Sequence, residues 1–80
     1  MSFLFSGSVL RAQRLKAGLT LKEVARKVNL SEGFISYIEN DKRVPSFETV
    51  VRLAHLFEID PSVLIRRRWR DEDYYTGMGE

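Results

Sequence analysis

The sequence predicts a compact all-α domain of five short helices, and three observations carry that prediction. Apolar residues recur at helical spacing in several segments separated by only a few polar residues. A side chain able to cap a helix N-terminus stands before each segment: Ser6 or Ser8, Thr20, Ser31, Ser46 and Asp60. Residues that stop helices follow them, with Gly18, Asn29 and the Asn40–Pro45 turn as the clearest cases.

Helix one opens at Ser6 or Ser8 and runs to Ala17, where Gly18 ends it. Leu10 faces the core, and Arg14 lies one turn later on the same side. A charge placed there needs a partner, which Glu39 at the end of helix three can supply. Helix two starts near Leu21. Thr20 and Glu23 have the spacing of a capping box, and Leu19 can staple onto Val24. Val24, Ala25 and Val28 form its apolar stripe, with Lys22, Glu23, Arg26 and Lys27 on the wet side; Ala25 is small enough to let helices two and three cross closely.

Asn29 tolerates the left-handed backbone that a tight turn requires, and Ser31 caps the next helix while Leu30 staples onto Ile35. Helix three spans Glu32 to Asn40. Ile35, Ile38 and Phe34 point inward, which leaves Glu32, Gly33, Ser36 and Tyr37 outward. After a polar turn closed by Pro45, helix four runs from the Ser46 cap to about Glu58, with Phe47, Val50, Leu53, Ala54 and Phe57 directed to the core. Asp60 caps helix five, Pro61 occupies its first position, and Val63 and Leu64 turn inward. No strand, repeat or interdomain linker is expected. The chain divides into an N-terminal arm (1–7), a helical domain (8–70) and a flexible acidic and aromatic tail (71–80).

Composition excludes several classes. Eighty residues make one domain near the lower size limit for a single core. With no cysteine, neither a disulfide scaffold nor a thiolate zinc site is available, and a reducing cytoplasm is the expected setting. No apolar run approaches the ~18 residues of a membrane span, and Met1–Phe5 lacks the positive flank of a signal peptide. His55, the single histidine, has no second ligand or nucleophile at a convincing spacing. No catalytic constellation, cofactor loop or metal site is expected, and so no enzyme. The net charge of +2 is unevenly placed: residues 1–60 hold nine Lys/Arg against seven Asp/Glu, and the last twenty hold four of each.

From Leu10 to Leu64 the chain resembles the helix-turn-helix domain of the phage repressor and Cro type. The resemblance rests on Arg14-Leu15-Lys16-Ala17-Gly18-Leu19-Thr20, Glu23-Val24-Ala25, Ser31, Ile35-Ser36-Tyr37-Ile38-Glu39, Pro45-Ser46, Leu53-Ala54 and Leu64. Each of these words is common; their joint spacing is specific. The resemblance implies a lambda-repressor-like fold with the helix-turn-helix at helices two and three, and a regulator of transcription that binds double-stranded operator DNA as a dimer, helix three lying in the major groove.

Carried over position by position, the resemblance assigns base contact to Glu32, Gly33, Ser36 and Tyr37. It assigns phosphate contact to Thr20, Lys22, Lys42 and Arg43, and a structural ion pair to Arg14 and Glu39. Glu32 suits a cytosine amino group, and Tyr37 suits a base edge, a phosphate or a thymine methyl. Four positions depart from the pattern, in three ways. Leu21 stands where the family often has a glutamine that holds phosphate. Asn29 and Asp41 replace turn glycines, and Glu32 places a carboxylate opposite phosphate, where it rejects sequences more readily than it adds affinity.

The segment after Leu64 has open readings. Arg66-Arg67-Arg68-Trp69-Arg70 is a second DNA-backbone patch, part of a dimer interface, or a solvated helix end with Trp69 covering the core. Because one such domain covers little DNA, a homodimer is expected, with Leu56, Ile65 and Trp69 as candidate interface residues. The alternative of another class is a protein-interaction module, such as an antitoxin whose 71–80 tail meets a protein partner, or the DNA-targeting part of a longer protein.

Overall fold

The computed structural model describes residues 4–66, so Trp69 and the 71–80 segment lie outside the described residues. The order is β1 (Leu4–Phe5), α1 (Gly7–Lys16), α2 (Leu21–Val28), α3 (Glu32–Glu39), α4 (Phe47–Phe57), a 3₁₀ turn (Pro61–Leu64) and β2 (Ile65–Arg66). Four α-helices are present among the described residues, one fewer than expected. The place of helix five is taken by the 3₁₀ turn. Asp60 does cap it, accepting from Ser62 N–H at 2.9 Å, but only four residues follow before Ile65 adopts extended backbone. That extension has a partner: β2 pairs antiparallel with β1, Leu4 opposite Arg66 and Phe5 opposite Ile65. The expectation of no strand therefore fails at both ends of the domain, because Phe5 is drawn into the core and carries its neighbours into a short ribbon. Ser6 N–H donates to Leu64 C=O at 2.8 Å and extends the same closure.

The core is Phe5, Leu10, Val24, Ala25, Val28, Ile35, Ile38, Val50, Leu53, Ala54 and Leu64. These positions are the inward stripes of all four helices, with Phe5 and Leu64 sealing the end where β1 and β2 meet. Four residues assigned to the core are not in it: Phe34 and Phe57 are half-buried and pack against it, while Phe47 and Val63 are exposed. Phe47 is 55% exposed: it is the first residue of α4, and the stripe reaches the core only from Val50 onward. Val63 is 44% exposed because a single 3₁₀ turn, with three residues per turn, can direct only Leu64 inward.

Each helix starts and stops on local chemistry. Ser6, Thr20, Ser31 and Ser46 all accept from the backbone N–H three residues on. Thr20 and Glu23 form both halves of the capping box, at 3.0 and 2.8 Å, and the backbone N–H of Thr20 holds the Glu23 carboxyl below the usual glutamate range. All four helices end in the same hydrogen-bond pattern. Leu19, Leu30, Lys42 and Ile59 N–H donate to the carbonyl five residues back, and Gly18, Asn29, Asp41 and Glu58 N–H donate to the carbonyl three residues back. This is the Schellman ending, and it requires a left-handed residue, here with φ of 73°, 60°, 59° and 57° at Gly18, Asn29, Asp41 and Glu58.

No helix among the described residues is long and apolar enough to cross a membrane.

Only one of the four left-handed positions is glycine. The Glu58 side chain stands at the surface with no polar tie that would offset its backbone strain, so Glu58→Gly should stabilise the domain by about 1 kcal/mol, a rise of roughly 4–8 °C in melting temperature. Asp41→Gly should gain less, since Asp41 Oδ1 accepts from Gly7 N–H at 3.0 Å. Thermal denaturation of the two variants checks the order; equal gains would remove the role assigned to the Asp41 carboxylate.

Candidate nucleic-acid interface

The candidate surface is the outer face of α3 with the loop that follows it. Its orientation is set from beneath by Ile35 and Ile38, both fully buried, and at its C-terminal end by Glu39. Arg14 Nε donates to Glu39 Oε2 at 2.6 Å and Nη2 to Oε1 at 3.1 Å, a bidentate pair. Nη1 of the same guanidinium donates to Leu19 C=O at 3.1 Å. One side chain of α1 thus holds the end of α3 and the turn leading into α2. The pair is largely removed from water, with 11% and 4% of the two side chains exposed. The hydrogen bond to Glu39, larger in effect than the opposing desolvation, raises the Arg14 pKa and so favours the charged guanidinium.

A second tie reaches the loop. The N-terminus of α1 abuts the C-terminus of α3 so closely that a Cβ on Gly7 would collide with the Ile38 and Glu39 carbonyl oxygens and with Asp41 Oδ1. The N-terminal end of one helix thus meets the C-terminal end of the other, an arrangement both macrodipoles favour. The loop bearing Lys42 and Arg43 is anchored through Asp41.

On this frame the outward residues of α3 lie where their spacing places them. Glu32, Gly33 and Tyr37 are exposed, Tyr37 at 52%, and Ser36 is half-buried. Ser31, Gly33, Phe34, Ser36, Tyr37 and Arg43 line one shallow concavity. Four of the residues assigned to DNA contact are therefore brought together: Gly33, Ser36, Tyr37 and Arg43. Glu32 and Lys42 are exposed on the same elements outside that concavity, and Thr20 and Lys22 are exposed at the start of α2. Leu21 is half-buried and packs against the core, so its position offers no hydrogen-bonding group to a ligand.

Away from α3, two grooves flank Leu56. One is lined by Lys27, Val28, Asn29, Val51, Arg52, His55 and Leu56, between α2 and α4; the other runs beside the end of α1, along Gln13, Leu19, Phe57 and Ile59. Arg52 closes the first, donating to Val28 C=O at 3.2 Å and to Glu48 at 3.2 Å. Ile65 is half-buried in the ribbon against the core. Sequence reasoning missed the Gly7–Asp41 contact, the Arg52–Val28 bond and the burial of Phe5 and Ser6. Only the apolar Leu4-Phe5 pair just before a cap residue signalled any of them.

Fold and surface together define a small helical domain built around two capped helices joined by the three-residue turn 29–31, with one outward helix face left open. Residues 10–64 match the helix-turn-helix family model, and the chain belongs to that family. It is 36% identical over 59 residues to the HTH-type transcriptional regulator ImmR of Bacillus subtilis (strain 168), covering 74% of this chain and 46% of ImmR. It is 33% identical over 58 residues to the ImmF control region 10 kDa protein of Bacillus phage phi105, covering 72% of this chain and 64% of that protein. Among solved structures it is similar to the restriction-modification controller protein C.AhdI from Aeromonas hydrophila, with a TM-score of 0.68 at 26% identity over 71% of this chain and 86% of that one. The chain thus spans about half of the ImmR regulator's length (46%).

If the Arg14–Glu39 pair holds α3, removing one charge should cost far more than removing both. Glu39→Gln should destabilise the domain by about 3 kcal/mol in urea unfolding, and Arg14→Met with Glu39→Leu should recover a large part of that loss. A double variant as unstable as the sum of its single changes would show that the two residues do not act as a pair.

Proposed function

We propose that this protein is a sequence-specific DNA-binding regulator of transcription that acts by occupying its site. In this reading α3 enters the major groove, Glu32, Gly33, Ser36 and Tyr37 face base edges, and Thr20, Lys22, Lys42 and Arg43 meet the phosphates on either side. The observation that carries it is the concavity on α3, where three outward residues of the helix lie together with Arg43 on a surface fixed by the buried Arg14–Glu39 pair. Aromatic, hydroxyl and guanidinium groups around a helix face supply both halves of what DNA recognition needs: hydrogen bonding and apolar contact at base edges, and positive charge at the backbone.

Family membership supports the reading, as do the names of the relatives, which describe a transcriptional regulator and a phage control-region protein. A second copy of the chain completes the site. A single domain of this size covers one half-site, and two half-sites about one helical turn apart give useful discrimination. Leu56, standing between two surface grooves, and Ile65 with Trp69 beyond it are the apolar residues offered for that contact.

Binding to a duplex selected from a random pool should weaken steeply as salt rises. Arg43→Ala should weaken selected and unselected duplexes alike and lower the salt slope by about one, as expected when a single phosphate is no longer neutralised. Tyr37→Ala should reduce the preference for the selected duplex while leaving the salt slope nearly unchanged. Binding indifferent to both salt and sequence would refute the proposal.

A further inference from the structure

Gly33 has no explanation inside the fold. Its backbone is ordinary right-handed helix, for the positive φ among the described glycines belongs to Gly18. Its surroundings do not forbid a side chain either: a Cβ at Gly33 meets nothing within 4 Å, whereas one at Gly7 would strike three oxygen atoms. Glycine is the poorest helix former after proline, and an exposed helix position normally carries something better. Neither backbone geometry nor internal packing offsets that cost here. What remains is the outside of the molecule.

The missing Cβ lies in the concavity on α3. Phe34, half-buried, and the exposed ring of Tyr37 give it apolar walls, Ser31 and Ser36 add hydroxyls, and Arg43 stands among its lining residues. The absent Cβ leaves room there for at least one methyl group. Among the groups that DNA presents in its major groove, one is an apolar methyl: the C5-methyl of thymine, which has an acceptor, O4, beside it. A hydroxyl next to an apolar recess matches that pair of features.

We propose that the Gly33 recess receives a pyrimidine C5-methyl group in the major groove, so that this glycine sets a preference at one position of each half-site. The inference rests on the DNA-binding reading above and sharpens it. Thymine and 5-methylcytosine both carry the group, and the recess reads the methyl they share.

The test removes a methyl from the DNA and adds one to the protein. In a duplex selected from a random pool, each thymine is replaced in turn by deoxyuridine, which lacks only the methyl. Replacement at one position per half-site should weaken binding about four-fold, the worth of one buried methyl. Cytosine and 5-methylcytosine at that position should differ in the same direction, which separates methyl reading from recognition of thymine as a whole. Gly33→Ala should melt no lower than the parent protein, since its Cβ meets open space and alanine favours helix. It should nevertheless bind the thymine duplex at least about four-fold more weakly and the deoxyuridine duplex no more weakly than the parent does.

If no thymine is sensitive, or if Gly33→Ala weakens both duplexes equally, the recess does not take a methyl group. A protein that selects sequences but ignores the methyl overturns this inference alone. One that selects no sequence overturns the DNA-binding reading with it.

Discussion

The Arg14 guanidinium makes the contacts from which the arrangement of this domain follows. Its fork grips both oxygens of Glu39 and also the Leu19 carbonyl, so a single side chain fixes the relation of α1, the entry to α2 and the exit of α3. Two charges held this far from water are stabilising only while both are present and fully bonded. That makes the pair a poor source of net stability and a strong source of geometry. An apolar pair of equal volume would fill the space but would not aim the end of α3. The surface above it is useful only if it is aimed.

A second constraint follows from the shortness of the helices. Helices of eight to eleven residues are marginal in isolation, so their ends matter as much as their middles. Every α-helix among the described residues is capped by a hydroxyl at its start and closed by a left-handed residue at its end. The turns are therefore built rather than slack, and the apolar stripes meet at defined angles over the core. Asp41 shows how closely the two constraints are joined. It closes α3 by its backbone, bonds the first amide of α1 by its side chain, and so carries the loop with Lys42 and Arg43.

Much of this was legible in the sequence because its causes are local. Cap residues act within three positions, so Ser31 and Ser46 announce their helices. The 3.6-residue period separates Ile35 and Ile38 from Gly33 and Tyr37 without knowledge of the rest of the chain, and the spacing from Arg14 to Leu64 identified the family, which the family match bears out. What was not legible depends on where elements end in space. Phe47 and Leu53 read alike along the chain, yet one lies at the helix tip and the other at the centre. The conversion of helix five into a 3₁₀ turn follows from the demand of Phe5 for a partner strand at the opposite end of the domain's sequence. Gly7 and Asp41 touch across 34 positions, and nothing in either residue type foretells it. At the candidate site the outward face of α3 was readable, whereas the grouping of Arg43 with that face required the loop to be placed.

Everything proposed for this protein turns on whether the α3 face and its following loop form the surface that meets DNA. Titrating isotope-labelled protein with its selected duplex and following backbone amide resonances locates that surface directly. The amides of Gly33, Ser36, Tyr37, Lys42 and Arg43 should move most, with those at the start of α2, while His55 and Glu58, which line other grooves, hardly move. Changes concentrated instead on the Val51–Leu56 groove, with α3 silent, would overturn the assignment.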